Sequence, residues 1–131
     1  MSFKKSNFFL DIIDQRIEIS SIGNLSSNTL SLILLHEGLG SVSMWKDIPE
    51  KIYEHTGFNV ITYSRAGYGK SSPVNLPRPL NYMNIEAEKY LPELLFKFNL
   101  ERVFLLGHSD GASIAAINSS LRTNSYKILG S

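Results

Sequence analysis

The sequence predicts an α/β fold with a mostly parallel sheet, an antiparallel N-terminal edge and helices on both faces. Three observations support this prediction. Short apolar runs typical of strands alternate with longer segments of helical periodicity. A glycine-containing turn follows each of three central apolar runs. Two short segments of alternating polarity come first, as in an antiparallel pair with one face in water.

The N-terminal third of the chain predicts three strands. Residues 8–21 read as two short strands joined by a turn near Asp14 and Gln15. Residues 30–35 form a continuous apolar run. Such a run favours a strand that is covered on both faces, as in a parallel sheet.

The central third continues the alternation. Residues 44–55 predict a helix in which Pro49 fits only the first turn and which Gly57 ends. Residues 59–63 predict the next strand. The proline-rich residues 73–79 predict a loop that cannot be helical.

The last third predicts two further helices. Residues 84–98 carry an apolar stripe at helical spacing, and Pro92 is expected to kink or interrupt that helix. Residues 103–106 predict a strand, residues 109–121 a helix, and residues 126–129 the beginning of another strand. The predicted order of complete elements is therefore β-β-β-α-β-α-β-α, which implies crossover connections.

The composition is compatible with one domain and limits the classes of partner that the chain is expected to bind. The chain has 131 residues, of which 43% are hydrophobic and 19% charged, so it can build a core. Its formal net charge is +1 with no basic block, so we expect neither a nucleic-acid nor a membrane partner. The absence of cysteine excludes a disulfide framework or thiolate metal site and is compatible with a cytoplasmic location. Neither a metal nor an organic cofactor is expected.

Ser109 lies in a G-x-S-x-G motif, residues 107–111, between a predicted strand and a predicted helix. A sharp strand-to-helix turn there would expose the serine hydroxyl as a nucleophile, and the flanking Gly107 and Gly111 would avoid clashes. The backbone N–H of Asp110 is then a candidate oxyanion donor. The alternative is a Gly-Ser-Gly loop without chemistry.

A second glycine-containing turn, residues 36–40, follows the first buried strand. Glycines let backbone N–H groups point into a cavity, where they can stabilise an oxyanion. Gly38 or Leu39 is the candidate donor, and the sequence does not choose between them. An ordinary strand-to-helix turn is the alternative.

The remaining turn, residues 64–71, invites comparison with a phosphate-binding P-loop because residues 69–71 read Gly-Lys-Ser after a strand. Ser64 stands where the first glycine of that motif belongs, and prolines follow where a helix should start. Nucleotide binding is therefore a minor alternative.

Together the three turns resemble those of the α/β-hydrolase fold superfamily, in order and spacing, over essentially the whole chain. Residues 35–40 look like its H-G-type oxyanion loop, residues 65–71 like its R-x-G-x-G-x-S turn, and residues 107–111 like its nucleophile elbow. The resemblance implies an incomplete α/β-hydrolase fold. It also implies an esterase-like serine hydrolase acting through Ser109 on a carboxylic ester, thioester or related acyl substrate. Structural roles in the turns are implied for His36, Arg65, Gly67, Gly69, Gly107 and Gly111.

The chain departs from the family pattern in two respects. Family members often have Asp at the structural position of Ser64. The family also places its acid and histidine after later strands, so we expect residues 1–131 to form one C-terminally truncated domain with five strands and the start of a sixth. Trp45, Tyr68 and the loop at residues 73–79 are candidates to line a substrate pocket.

The chain offers three histidines as a base for Ser109. His108 is its neighbour, so the two side chains should point apart, and His55 is predicted at a helix end far from the strand tips. His36 is predicted at the correct edge of the sheet, but its family position is structural. We therefore expect the chain to be inactive alone and an acid and histidine to come from a complementary C-terminal polypeptide.

A non-catalytic remnant or half-domain is the alternative function. The strand before Ser109 is central in the family's sheet but would lie at or next to an open edge here. An open apolar edge promotes self-association, so we expect the isolated chain to be marginally stable or to aggregate.

Overall fold

The computed structural model describes residues 5–23, 30–36, 40–74, 78–98, 100 and 103–120, and the backbone of residues 127–129. Its strands are β1 (Lys5–Ile12), β2 (Gln15–Ile22), β3 (Ser31–Leu35), β4 (Asn59–Ser64), β5 (Val103–Gly107) and β6 (Lys127–Leu129). Its helices are α1 (Ile48–Thr56), α2 (Tyr82–Ile85), α3 (Leu91–Phe98) and α4 (Asp110–Ser119). A 3₁₀ turn (Val42–Trp45) precedes α1, and a π-helical segment (Glu86–Tyr90) joins α2 to α3.

The described strands form one sheet in the order β1-β2-β4-β3-β5-β6. β2 pairs antiparallel with β1 and β4, whereas β4, β3, β5 and β6 run parallel. The predicted parallel sheet with an antiparallel N-terminal edge is therefore confirmed. Leu35 pairs with Tyr63 on one side and Gly107 on the other, so the turns after β3, β4 and β5 leave the sheet at one edge.

Helices cover both faces of the sheet, as predicted. Alternate residues of β3 and β4 contribute to two separate apolar clusters, because successive side chains of a strand point to opposite faces. One cluster joins Ile33 and Ile61 to Leu91, Leu94 and Ile114 from the later helices. The other cluster joins Leu32, Leu34 and Val60 to side chains that include Trp45, Ile52 and Tyr53.

The first helix begins later than predicted. The 3₁₀ turn takes up the first apolar residues of the predicted segment, and α1 starts only at Ile48. Pro49 explains the shift, because it has no N–H to donate and is accepted only in the first helical turn. The predicted end is confirmed, since Gly57 adopts the left-handed conformation with φ 72° and donates to the Tyr53 carbonyl.

The second predicted helix starts at Tyr82 and continues through Pro92. The π-helical segment lies directly before this proline, and the Leu91 N–H bonds to the Glu86 carbonyl five residues earlier. A wider turn relieves the clash between a proline ring and the preceding carbonyls. The expected interruption is thus replaced by a local change of helical pitch.

The strand before Ser109 lies next to the edge of the described sheet, which is one of the two positions predicted for it. β6 pairs parallel with β5 from Phe104 to Leu106 and forms the edge itself. Tyr126 and Leu121, which were predicted in the last strand and last helix, lie outside the described residues. No helix in the described part of the chain is long and apolar enough to cross a membrane.

Candidate active site

Ser109 occupies a strained turn between β5 and α4. Its backbone has φ 57° and ψ −115°, a conformation that residues with a side chain rarely adopt and that costs about 1–3 kcal/mol. Its carbonyl accepts the N–H groups of Ala112 and Ser113 at 2.9 and 3.2 Å, so the helix starts immediately after it. The Ser109 side chain is exposed. This is the geometry in which a strand-to-helix turn presents a hydroxyl to a substrate.

The glycines on either side of Ser109 are required by close packing. A Cβ atom on Gly107 would overlap the backbone of Gly111, and one on Gly111 would overlap the Leu35 carbonyl. The His108 N–H also donates to the Leu35 carbonyl at 3.1 Å. The start of α4 is therefore held directly against the end of β3.

Asp110 contributes both a backbone donor and a tethered side chain. Its N–H is the first of α4, and the Ser109 side chain does not cap that helix end. Its carboxylate accepts a hydrogen bond from the Tyr82 hydroxyl at 2.5 Å. That bond, with burial as a second cause, raises the pKa of Tyr82. Gly38 and Leu39, the donors expected opposite this N–H, lie outside the described residues.

His36 is fully enclosed at the end of β3. Only 2% of its surface is exposed, and its Nε2 accepts the Arg65 backbone N–H at 3.0 Å. The Arg65 Nη1 in turn donates to the His36 carbonyl at 2.7 Å, and the Tyr68 ring packs edge-on at 4.8 Å between centroids. With Nε2 used as an acceptor, this nitrogen is not offered to a substrate proton. The contacts are those of a residue that joins two turns.

The other two histidines differ in their distance from the elbow. His55 lies in the last turn of α1 and is exposed. His108 is exposed and lines the cleft beside Ser109.

The turn after β4 depends on two glycines with positive φ. Gly67 has φ 90°, and a Cβ atom there would lie 2.5 Å from the Arg78 guanidinium. Gly69 has φ 51°, and a Cβ atom there would lie 2.5 Å from the Glu18 carboxylate and 2.6 Å from the Ser64 hydroxyl. Both glycines therefore make room for side chains from other segments.

Glu18 of β2 organises the same turn. Its Oε1 accepts the Ser64 hydroxyl at 2.8 Å and the Lys70 N–H at 3.1 Å. The Ser64 hydroxyl also accepts the Val42 N–H at 2.8 Å. A protein carboxylate thus takes the N–H that a P-loop would turn toward phosphate, and no helix starts at Lys70 or Ser71. The nucleotide-binding alternative is wrong for this turn.

A cleft of about 240 Å³ lies beside the elbow. Its described lining consists of His36, Gly40, Met44, Trp45, Ile48 and His108. Met44 and Ile48 are 56% and 44% exposed, and the Trp45 Nε1 is buried without a hydrogen-bond partner in the described structure. The cleft therefore has an apolar wall, which suits an apolar group of a ligand.

Of the two residues proposed for a substrate pocket, only Trp45 lines this cleft. Tyr68 packs instead between His36 and the Arg78 guanidinium, which lies 4.8 Å from its ring centroid. Sequence reasoning did not include Met44 and Ile48, because both fell within one predicted helix. The sequence feature that could have indicated these two residues is that large apolar side chains follow soon after the glycine-containing turn at residues 36–40.

Two further residues were missed: Tyr82, which bonds Asp110, and Glu86, which lines a second cleft. Glu86 is only 8% exposed, and burial raises its pKa to about 7 although Arg65 and Arg78 act in the opposite direction. The π-helical segment carries Glu86, so a regular helical period does not predict its burial. Among the described residues, no three His, Cys, Asp or Glu side chains come together as metal ligands.

Comparisons with known proteins agree with this geometry. The profile of the alpha/beta hydrolase fold matches residues 31–123. A proline iminopeptidase from Lactobacillus delbrueckii subsp. lactis is 31% identical over 86 residues, which are 66% of this chain and 29% of that protein. The chain therefore spans less than a third of this relative.

Solved structures with the same fold include two epoxide hydrolases. Epoxide hydrolase A from Mycobacterium thermoresistibile superposes with a TM-score of 0.80 at 19% identity, covering 97% of this chain and 39% of that one. Epoxide hydrolase I from potato (Solanum tuberosum) gives a TM-score of 0.71 at 19% identity, covering 86% and 34%. Because the profile spans residues 31–123, which are well over half of the chain and include β3, β4, β5 and the elbow, the chain belongs to the alpha/beta hydrolase fold family.

Proposed function

We propose that this chain carries the nucleophile of a serine hydrolase, with Ser109 attacking the carbonyl carbon of an acyl substrate. The observation that supports the proposal most directly is the strained backbone of Ser109 between two glycines that close packing requires. Strain of this kind persists where the surrounding structure imposes it, and it concentrates at active sites. Carboxylic esters and thioesters are the substrate classes that we propose.

The negative charge of the tetrahedral intermediate would be stabilised at the start of α4. The Asp110 N–H and the positive end of the helix dipole both act there. Gly38 or Leu39 would supply the second N–H. The cleft lined by Met44 and Trp45 would hold the acyl chain.

The general base, in this proposal, is contributed by protein outside the 131 residues. The His36 Nε2 accepts a backbone N–H, and His55 lies at the far end of α1. In this proposal a histidine and an acid from another segment complete the catalytic triad. The name of the related proline iminopeptidase adds peptides with an N-terminal proline to the acyl substrates worth testing.

The nucleophile position can be tested without the missing base. The chain has no cysteine, so Ser109→Cys creates a single thiol, and Ala116→Cys places a control thiol on an exposed site in the middle of α4. The helix N-terminus should lower the thiol pKa at position 109 below the ordinary value of about 8.5 and leave that at position 116 near it. The measurement is the rate of iodoacetamide alkylation against pH. Equal rates and equal pKa values for the two variants would contradict the proposal.

The origin of the base is tested separately with a fluorophosphonate probe. We expect the isolated chain to remain unlabelled, because a serine without a base is a weak nucleophile. Labelling of the wild type but not of Ser109→Ala would support Ser109 as the nucleophile and contradict the external base. Equal labelling of both proteins would contradict the assignment of Ser109 itself.

A further inference from the structure

A second cleft, of about 220 Å³, shares no described lining residue with the cleft beside the elbow. It lies between the β1–β2 hairpin, the segment after β4 and the helical residues 82–90. Its apolar wall includes Val74, Pro79 and Ile85. Its polar side chains include Gln15, Arg78 and Glu86. The cleft therefore joins a small apolar surface to groups of opposite charge.

Two acceptors in this cleft lack a hydrogen-bond donor in the described structure. Glu86 is 8% exposed and forms neither a hydrogen bond nor an ion pair within 4 Å with a described residue. The Gln15 Oε1 is buried and also has no partner there. A buried polar group without a partner is unfavourable, and more so when it is charged. These two acceptors are matched by a ligand that carries several N–H donors.

Arg78 offers donors to the same cleft. Its guanidinium has five N–H groups, and Nη2 donates to the Ala66 carbonyl at 3.2 Å. The rings of Tyr68 and Tyr82 lie 4.8 and 5.6 Å from the guanidinium carbon and help to fix its orientation. A fixed planar guanidinium is suited to a carboxylate with two parallel acceptors. Arg78 and Glu86 do not pair with each other within 4 Å, so each keeps capacity for a ligand.

We propose that this cleft binds a small α-amino acid, with its ammonium group at Glu86 and Gln15 and its carboxylate at Arg78. The volume equals that of about seven water molecules, which suits a short aliphatic side chain against Val74 and Ile85. The site goes beyond the proposed hydrolase function, because it does not include Ser109.

The test is calorimetric titration of the full chain with three small ligands at about pH 8, where the Glu86 carboxyl is ionised. L-valine carries both charged groups, isobutylamine lacks the carboxylate, and isovalerate lacks the amine. We expect valine to bind at least about tenfold more tightly than either single-charge ligand. Glu86→Gln should weaken valine binding by about tenfold or more, whereas Glu88→Gln, an exposed neighbour in the same segment, should leave it unchanged.

A second variant tests the carboxylate end of the cleft independently of Glu86. Arg78→Lys retains the positive charge but loses the planar pair of donors, so it should weaken the binding of valine and isovalerate and leave that of isobutylamine unchanged. Circular dichroism of each variant checks the fold. No valine binding to the folded wild type, valine binding no tighter than that of a single-charge ligand, or full affinity in a folded Glu86→Gln protein would each overturn the proposal.

Discussion

Gly111 is the residue at which α4 touches β3. A Cβ atom at this position would enter the Leu35 carbonyl, which belongs to a buried central strand and cannot move aside. We therefore expect Gly111→Ala to lower the free energy of unfolding by about 3 kcal/mol, the upper range for overpacking a core. Urea unfolding followed by circular dichroism measures this loss.

Gly57 provides the matched control for Gly111. It has φ 72°, and a Cβ atom there would meet nothing within 4 Å. Gly57→Ala should lose only the backbone term of about 1–2 kcal/mol. A larger loss for Gly57→Ala than for Gly111→Ala would contradict the account of packing at the elbow.

The raised pKa of Glu86 should make the stability of the protein depend on pH. Burial raises its pKa from 4.5 to about 7, and Arg65 and Arg78 reduce that rise. Tyr82 and Tyr90 line the same cleft. Because the folded-state pKa is the higher one, the stabilising contribution is present below about pH 4.5 and is lost as the pH rises through about 7.

Glu86→Gln removes this titration. The variant should gain up to about 3 kcal/mol of unfolding free energy relative to the wild type at about pH 8.5, and almost nothing at about pH 4.5. Denaturant unfolding of both proteins at the two pH values measures the difference. An equal effect at both pH values would show that the carboxyl is not shifted.

At this scale the sequence predicts the residues whose role is local. Gly107 and Gly111 each lie two residues from Ser109, and this spacing alone predicts the turn. Glu86 interacts with Arg65, and Tyr82 bonds Asp110, so each depends on a residue that is distant in sequence. No local sequence pattern indicates these two interactions. His36 was predicted at the correct edge, but its bond to the Arg65 N–H became visible only in three dimensions.

Among the elements, the turn after β4 is fixed to β2 by serine hydroxyls. The Ser71 hydroxyl accepts the Glu18 N–H at 2.8 Å and donates to the Ser64 carbonyl. Ser71→Ala would leave the Glu18 N–H without its partner, so we expect a loss of about 1–3 kcal/mol in unfolding free energy. Thermal and urea unfolding measure it. Ser113→Ala, at an exposed position of α4, should change stability little, and an equal loss there would contradict the prediction.

The kinds of element were predictable, whereas two of their details were not. Apolar runs and glycine turns identified the strands, because those signals lie within a few residues. The start of α1 depended on Pro49. The continuity of the helical residues 82–98 depended on the π-helical segment before Pro92. Hydrophobic periodicity assumes a constant pitch, so it cannot show where the pitch changes.

For the whole molecule, the strand order illustrates what the sequence leaves open. The sequence indicates a parallel sheet, but it does not show that β4 lies between β2 and β3. Buried parallel strands look alike as short apolar runs, so their pairing depends on contacts between distant segments.

The outer edge of β6 predicts association in solution. This three-residue strand pairs with β5 on one side, and it ends the order of the described sheet. Unpaired N–H and C=O groups at such an edge attract a further strand, from a second copy or from a complementary polypeptide. We expect light scattering to detect species heavier than the 14.7 kDa monomer as concentration rises. A monomer at every concentration, with a cooperative thermal transition, would contradict this expectation.

The backbone of Ser109 has a consequence for how this chain would change under selection. Glycine adopts φ 57° without the penalty that a side chain brings, so Ser109→Gly should make the protein more heat-resistant. A directed-evolution screen that rewarded heat tolerance alone would therefore be expected to erase the hydroxyl. Only a screen that also rewarded turnover would keep the serine. The residue found at position 109 would therefore show whether a population of variants was selected for activity or for stability alone.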